Sequence, residues 1–107
     1  NKDSENVGDN ENSMQNRKEQ KRREAELRQQ TAPLRKKITQ LEEKMNKFSS
    51  ELTNIENQLA DAELYNAENK EKLTALLAQQ VDVKKVLDDV ETEWMTAQEE
   101  LEEMLQA

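Results

Sequence analysis

The sequence predicts an all-α protein: an antiparallel two-helix coiled-coil hairpin, preceded by a short basic helix and a disordered N-terminal linker. Apolar residues recur at alternating steps of four and three along two long stretches, the spacing that keeps one apolar seam facing a partner helix. The 107 residues include a single Gly and a single Pro, so helix breakers are scarce. With 33% hydrophobic and 37% charged residues, the chain suits a zipper better than a compact globular core.

The first element is a predicted linker at residues 1–16, which are rich in Asn and acids and have almost nothing to bury. A start at Asn1 rather than Met indicates a fragment of a longer protein. Residues 17–107 are predicted to form one helical-hairpin domain. It begins with a basic helix at 17–31, where good helix formers predominate and Ala25 and Leu27 are the main apolar residues.

Pro33 leaves two interpretations of the next segment. The heptad phase continues through Leu27, Thr31 and Leu34, which fits one continuous, kinked helix. Alternatively, the basic helix ends near Thr31 and a new helix begins with Pro33 in its first turn. The second interpretation is favoured because a proline inside a helix costs about 3 kcal/mol.

The hairpin itself is predicted to consist of a long helix at 33–60, a tip at 61–66 and a second long helix at 67–106. Asp61, Asn66 and Asn69 mark the reversal, since such residues favour turns and caps, and Asn66 is the expected N-cap of the second helix. Both helices carry a full apolar seam, with Gln80 as one polar member. The first seam contains Leu34, Ile38, Leu41, Met45, Phe48, Leu52, Ile55 and Leu59, and the second contains Leu73, Leu76, Val83, Leu87, Val90, Trp94, Ala97, Leu101 and Met104.

The charges beside the seam predict a register in which Leu41 faces Leu87 and Met45 faces Val83. This register aligns four pairs of opposite charge, whereas a slide of one heptad sets Glu42 against Glu91. The four predicted pairs are Glu56 with Lys70, Glu42 with Lys84, Arg35 with Glu91, and Lys37 with Glu93. Heptads alone also allow an intermolecular dimer, but the short turn favours a hairpin and a monomer.

The inventory of catalytic and ligand-binding groups is nearly empty. Without His, Cys or a glycine-rich loop, the chain lacks a catalytic triad, a zinc site and a phosphate-cradling loop, so no catalytic, cofactor-binding or metal-binding residue is predicted. Trp94 and Phe48 occupy seam positions and are predicted to pack in the core. No run of 18 apolar residues occurs, so no membrane span is expected.

The basic segment is the main functional signal. Residues 15–37 carry nine Lys or Arg against three Glu, although the net charge of the chain is −8. Such a segment can neutralise phosphates of DNA or RNA, or it can pair with the acidic second helix or simply keep the helix soluble. The candidate nucleic-acid-binding residues are Arg17, Lys18, Lys21, Arg22, Arg23, Arg28 and Lys36.

Several stretches together resemble a known family. They are the basic helix, APLRKKITQLEEKM after it, the tip ADAELYNAENKEKL and the closing VETEWMTAQEELEEM. From Arg17 to Ala107 the chain resembles the C-terminal helical hairpin of ABC-F proteins, ATP-binding-cassette ATPases without a transmembrane domain, in the YheS/Uup-like bacterial branch. The resemblance implies a cytosolic parent ATPase that acts on ribosomes during translation, with ATP and Mg bound in cassettes outside this chain.

The family resemblance also implies nucleic-acid binding by the hairpin, and the acidity of residues 38–107 restricts that contact to residues 17–37. The sequence therefore predicts a non-catalytic domain that binds DNA or ribosomal RNA through phosphate contacts and helps to dock the parent ATPase, whose cassettes are further partners. The alternative is a structural or protein-interaction arm, for which the tip residues Leu64 and Tyr65 would be the contact.

Overall fold

The computed structural model describes the backbone of residues 2–106 and the side chains of residues 13–106. Two long helices, α1 (Lys2–Leu59) and α2 (Lys70–Gln106), are joined by two 3₁₀ turns at Ala62–Tyr65 and Ala67–Asn69. Helices α1 and α2 pack against each other within one chain. The predicted fold class, an all-α antiparallel hairpin, is confirmed.

Helix α1 is longer at its N-terminal end than the predicted helix 33–60. The basic segment 17–31 is helical, as predicted, and it is continuous with the long helix. Residues 13–16 are also helical and exposed. Helix α1 begins at Lys2, so its backbone also includes most of the remaining predicted linker, while the side chains of residues 1–12 lie outside the described residues.

The prediction of a helix break at Pro33 is wrong, because α1 passes through this residue without interruption. Side-chain donors hold the turn that precedes the proline. The Thr31 hydroxyl and the Arg35 Nη2 donate to the backbone oxygen of Arg28 at 3.3 and 2.9 Å, and the Arg35 Nε donates to the Thr31 Oγ1 at 3.3 Å. The missing proline N–H would have bonded the Gln29 oxygen, and these bonds hold the neighbouring carbonyl of the same turn.

The core follows the predicted seams and divides into two clusters. Seam residues at both ends of the hairpin are buried, while the charged residues between them remain exposed. The first cluster contains Ile38, Leu41, Val90 and Ala97, with Leu34, Met45, Phe48, Trp94 and Leu101 packed against it. The second contains Ile55, Leu64 and Leu76, with Leu59, Leu73 and Val83 packed against it.

These clusters contradict the predicted register. Leu87, the predicted partner of Leu41, does not belong to the cluster around Leu41. Val83, the predicted partner of Met45, packs in the cluster of Ile55 at the other end of the hairpin. The two helices are therefore aligned differently from the alignment that the charges favoured.

The observed alignment fits a displacement of one heptad from the predicted register. Gln58 and Gln79 line one groove beside the seam, and Arg28 and Leu105 line another. In each groove the two residues flank the seam, one on α1 and one on α2. They lie at the same level of the hairpin only if the helices are displaced by one heptad from the predicted register. The aligned layers then include Ile38 with Ala97, Leu41 with Trp94, and Met45 with Val90.

Packing at the tip of the hairpin outweighs the charge pairs that favoured the predicted register. Leu64, in the first 3₁₀ turn, is only 5% exposed and closes the end of the second cluster. Burial of a leucine side chain contributes about 2 kcal/mol, whereas an exposed ion pair contributes a few tenths. The predicted ion pair of Arg35 with Glu91 is replaced by the bonds of Arg35 to its own helix.

The reversal is also longer than the predicted tip at 61–66, since α2 begins at Lys70 rather than at residue 67. Asp61 caps the first 3₁₀ turn by accepting a bond from the Glu63 N–H at 3.0 Å. Asn66, the predicted N-cap, makes no side-chain cap bond. Instead the Asn69 Nδ2 donates to the backbone oxygen of Glu63 at 2.9 Å and ties the two turns together.

Within the described residues, no helix combines the length and the apolar character that a membrane crossing requires.

Candidate nucleic-acid interface

The candidate interface lies where α1 continues past the end of α2. Helix α2 ends at Gln106, and its last turn borders Glu24, Leu27 and Arg28 through Leu105. We call residues 13–28 the basic extension and residues 31–106 the paired region. Every residue from 13 to 26 is exposed, so the basic extension is a single helix without a partner along most of its length.

The heptad positions of the basic extension explain why α2 does not cover it. Continuing the seam toward the N-terminus from Leu27 places Glu24, Gln20 and Arg17 where apolar residues would be needed for a zipper. All three of these side chains are exposed. The apolar seam therefore ends at Leu27, which is itself only partly buried beside the last turn of α2.

The predicted binding residues are all exposed, but the structure does not bring all seven together. Arg23 points away from the others, since successive residues of a helix are rotated by about 100°. Lys36 lies on the outer face of the paired region, two turns beyond Arg28. The five cations that share one face of the basic extension are Arg17, Lys18, Lys21, Arg22 and Arg28.

The shared face is a cationic stripe, a name used below for these five residues. It covers an arc of about 140° and a length of about 16 Å along the helix. Acids border the stripe on both sides: Glu19 and Glu26 neighbour Arg22 at one edge, and Glu24 neighbours Arg17 and Arg28 at the other. Lys18 and Arg22 line one shallow groove together with Gln15 and Glu19, and the two cationic head groups can reach the same phosphate-bearing ligand.

The paired region has the opposite electrostatic character. Residues 38–107 carry seventeen acids against six Lys. Four of these acids, Glu99, Glu100, Glu102 and Glu103, are exposed near the end of α2. A polyanion that approaches the molecule is therefore attracted to the basic extension and repelled from the paired region.

Arg35 has a structural role that the sequence pattern did not predict. Its guanidinium supports the proline turn rather than an ion pair across the hairpin. The available signal was its spacing of four residues from Thr31, which places the two side chains on one helix face across Pro33. Thr31 is 2% exposed, and both hydrogen bonds of its hydroxyl are made within this cluster.

The aromatic residues of the seam belong to the core, as predicted. Phe48 and Trp94 pack against the first cluster, and the Lys47 Nζ lies 5.7 Å from the centre of the Phe48 ring. The Trp94 Nε1 is buried and has no hydrogen-bond acceptor. Among the described residues, no group of three or more His, Cys, Asp or Glu side chains is arranged to hold a metal ion.

The fold and the basic end define a helical-hairpin module of the kind expected in ABC-F proteins. Over all 107 residues the chain is 94% identical to a Haemophilus influenzae protein named "Probable ATP-binding protein YheS". It is 57% identical over 97 residues, 91% of the chain, to proteins of the same name from Escherichia coli K12 and O157:H7. No protein-family model and no solved structure matches.

These similarities confirm the resemblance: the whole chain matches a stretch of a YheS protein, which fits a fragment of an ATP-binding protein of this type. The chain spans 17% of the length of the Haemophilus influenzae relative and 15% of the Escherichia coli relatives.

Proposed function

We propose that this chain is a non-catalytic accessory domain of an ATP-binding parent protein, and that it binds DNA or ribosomal RNA to help dock that parent. The observation that carries the proposal is the cationic stripe, which lies on the one stretch of α1 that α2 leaves uncovered. Because most of the basic extension lies beyond the end of α2, a polyanion can approach Arg17, Lys18 and Lys21 without passing close to the acids of α2.

The stripe favours phosphate contacts over the reading of bases. Its members are long cationic side chains on one helix face, and no aromatic residue lies among them to stack on a base. Five cations over about 16 Å allow several phosphates to be neutralised together. The expected binding is therefore tolerant of sequence and strongly dependent on salt.

The parent protein is proposed to be an ABC-F ATPase that acts on the ribosome in translation and resides in the cytoplasm. Its relatives are named as ATP-binding proteins, which supports the ATP-binding part of this proposal. With a single Gly, the chain itself does not suit the glycine-rich loop that cradles the phosphates of ATP. ATP and Mg would be bound by cassettes elsewhere in the parent, and those cassettes are proposed partners of the hairpin.

Fluorescence anisotropy with labelled duplex DNA and with structured ribosomal RNA, over a salt series, tests the proposal. The triple variant Arg22→Ala, Arg23→Ala, Arg28→Ala is expected to weaken binding at least tenfold at low salt. It should also reduce the slope of log affinity against log salt by about two, because Arg22 and Arg28 belong to the stripe.

The matched control replaces three exposed lysines of α2, Lys70, Lys72 and Lys84, with Ala. This variant loses the same charge but leaves the basic extension intact, so its affinity should stay within about threefold of the parent chain. Equal losses in the two triple variants would show that net charge alone drives the binding. No binding by the unaltered chain at low salt would refute nucleic-acid docking.

A second candidate is a structural or protein-interaction arm that contacts its target through the tip. The observation that favours it is Tyr65, whose side chain is 60% exposed at the reversal. Leu64 is excluded from such a contact, because it is buried in the second cluster. Capture of a protein partner that fails with Tyr65→Ala, but survives the triple arginine variant, would support this candidate.

A further inference from the structure

The repeat in the seam makes more than one alignment of the two helices sterically reasonable. A slide of seven residues returns every seam position of α2 to a seam position of α1, so periodicity does not distinguish the two alignments. The structure adopts one of them, in which Leu41 faces Trp94 and Ile38 faces Ala97. The alignment one heptad away, in which Leu41 faces Leu87, is the one that the charges favour.

The adopted register has an electrostatic disadvantage. It sets Glu42 opposite Glu91 at the edge of the seam, and Glu91 is partly buried there. Two pairs of opposite charge, Lys44 with Glu93 and Lys37 with Glu100, partly offset this repulsion. The alternative register aligns four opposite pairs and no like pair, which is a modest gain for exposed groups.

The alternative register also gains packing at the base of the hairpin. It places Leu101 opposite Leu27, which is only partly buried in the structure. It loses packing at the tip, where Leu64 closes the second cluster. Because Leu27 is already partly buried, the gain at the base is smaller than the loss at the tip, and the ion pairs of the alternative register make up much of the difference.

The reversal between α1 and α2 is long enough to allow α2 to move by one heptad along α1. Ten residues, 60–69, separate α1 from α2, and seven of them already form two 3₁₀ turns. The second turn, Ala67–Asn69, directly precedes Lys70 and can extend α2 by changing its hydrogen bonds from the 3₁₀ to the α pattern. A shorter loop of about six residues then remains, which is enough to join antiparallel helices.

We propose that the hairpin has two registers one heptad apart, and that the slide between them controls access to the basic extension. A displacement of seven residues moves the end of α2 by about 10 Å toward the N-terminus of α1. The last turn of α2 then lies along residues 21–28, and Glu102 lies on the side of the seam that holds Lys21 and Arg28. The masking of phosphate contacts rests on the proposed function, whereas the existence of two registers does not.

Disulfide trapping tests the two registers directly, because the chain contains no cysteine. The pair Gln58→Cys with Gln79→Cys reports the adopted register, since both residues line one groove. The pair Glu51→Cys with Gln79→Cys reports the alternative one. The control pair, Lys44→Cys with Gln79→Cys, occupies equivalent flanking positions but requires a slide of two heptads.

Under mild oxidation at low protein concentration, the first pair should cross-link fastest. The Glu51 pair should cross-link more slowly, but at least tenfold faster than the Lys44 control, because a disulfide needs Cα atoms about 4.4–6.8 Å apart. Cross-linking of the Glu51 pair no faster than the control would overturn the proposal. So would equal rates for all three pairs, which would indicate general opening of the hairpin instead of a discrete slide.

The oxidised chains then test the masking with the same labelled duplex DNA. The chain locked by the Gln58 pair should bind like the unaltered chain, and the chain locked by the Glu51 pair should bind at least fivefold more weakly. Reduction of the disulfide should restore the affinity. Equal affinities of the two locked chains would refute the masking, while failure of every chain to bind would refute the proposed function and leave the trapping result standing.

Discussion

Helix α1 contains two stretches that share one heptad phase but differ in what occupies the seam. In the paired region the seam positions Ile38 and Leu41 are 6% and 3% exposed. In the basic extension the equivalent positions hold Glu24, Gln20 and Arg17, which are exposed. The comparison shows that the residues at the seam positions decide whether a helix is paired: apolar residues there hold the partner helix, and polar residues there leave the helix exposed.

The largest expected effect is a loss of stability in the paired region. Leu41→Ala removes a side chain from the first cluster and should lower the free energy of unfolding by about 3 kcal/mol. Urea unfolding followed by circular dichroism at 222 nm measures this change. Leu105→Ala, at a residue 55% exposed at the end of α2, is the matched control and should cost less than 1 kcal/mol.

Leu64→Ala addresses the tip, where the packing that selects the register is concentrated. We expect a loss of about 2 kcal/mol, because Leu64 is 5% exposed between Ile55 and Leu76. Tyr65→Phe is the control beside it, and should cost about 1 kcal/mol through loss of the 2.7 Å bond from the Tyr65 hydroxyl to the Leu59 oxygen. A larger effect at Tyr65 than at Leu64 would contradict the assignment of Leu64 as the closing residue.

Thr31→Val tests the turn that joins the two stretches of α1. The substitution keeps the shape of a buried side chain but removes a donor to Arg28 and an acceptor for Arg35, so a loss of about 1 kcal/mol is expected. Thr39→Val removes only one bond on an exposed helix face and should cost less. If the two variants unfold at the same urea concentration, the Thr31 bonds do not support the proline turn.

The smallest effect on stability is expected in the basic extension. Replacement of Arg22 and Arg23 by Ala should change the free energy of unfolding by less than about 0.5 kcal/mol, because both side chains are exposed and contact no part of α2. The same unfolding experiment applies. A loss above 1 kcal/mol would show that the basic extension contributes to the hairpin, and the division of α1 into two regions would need revision.

Trp94→Phe tests the packing of Trp94 against the first cluster. The substitution loses some apolar area but also removes a buried indole N–H that has no acceptor. The two effects oppose each other, so the variant should be within about 1 kcal/mol of the parent chain, far milder than the 3 to 5 kcal/mol typical of Trp→Ala.

Local patterns in the sequence were sufficient to predict several features of the structure. The steps of four and three identified the seam residues of both helices, and the cluster of Asp61, Asn66 and Asn69 located the reversal. The concentration of Lys and Arg between residues 15 and 37 marked the candidate interface. The Pro33 prediction failed because helix propensity counts the missing hydrogen bond but does not count bonds made by neighbouring side chains.

Residues close together in the chain specify a helical hairpin with a basic end, because helix type, seam and charge are local properties. The register, the burial of Leu64 and the length of α1 left uncovered by α2 depend on contacts between distant residues. A heptad repeat looks the same after a slide of seven residues, so periodicity does not distinguish one alignment from the next. Only the packing of distant side chains at the tip, worth more than the exposed ion pairs beside the seam, selects between them.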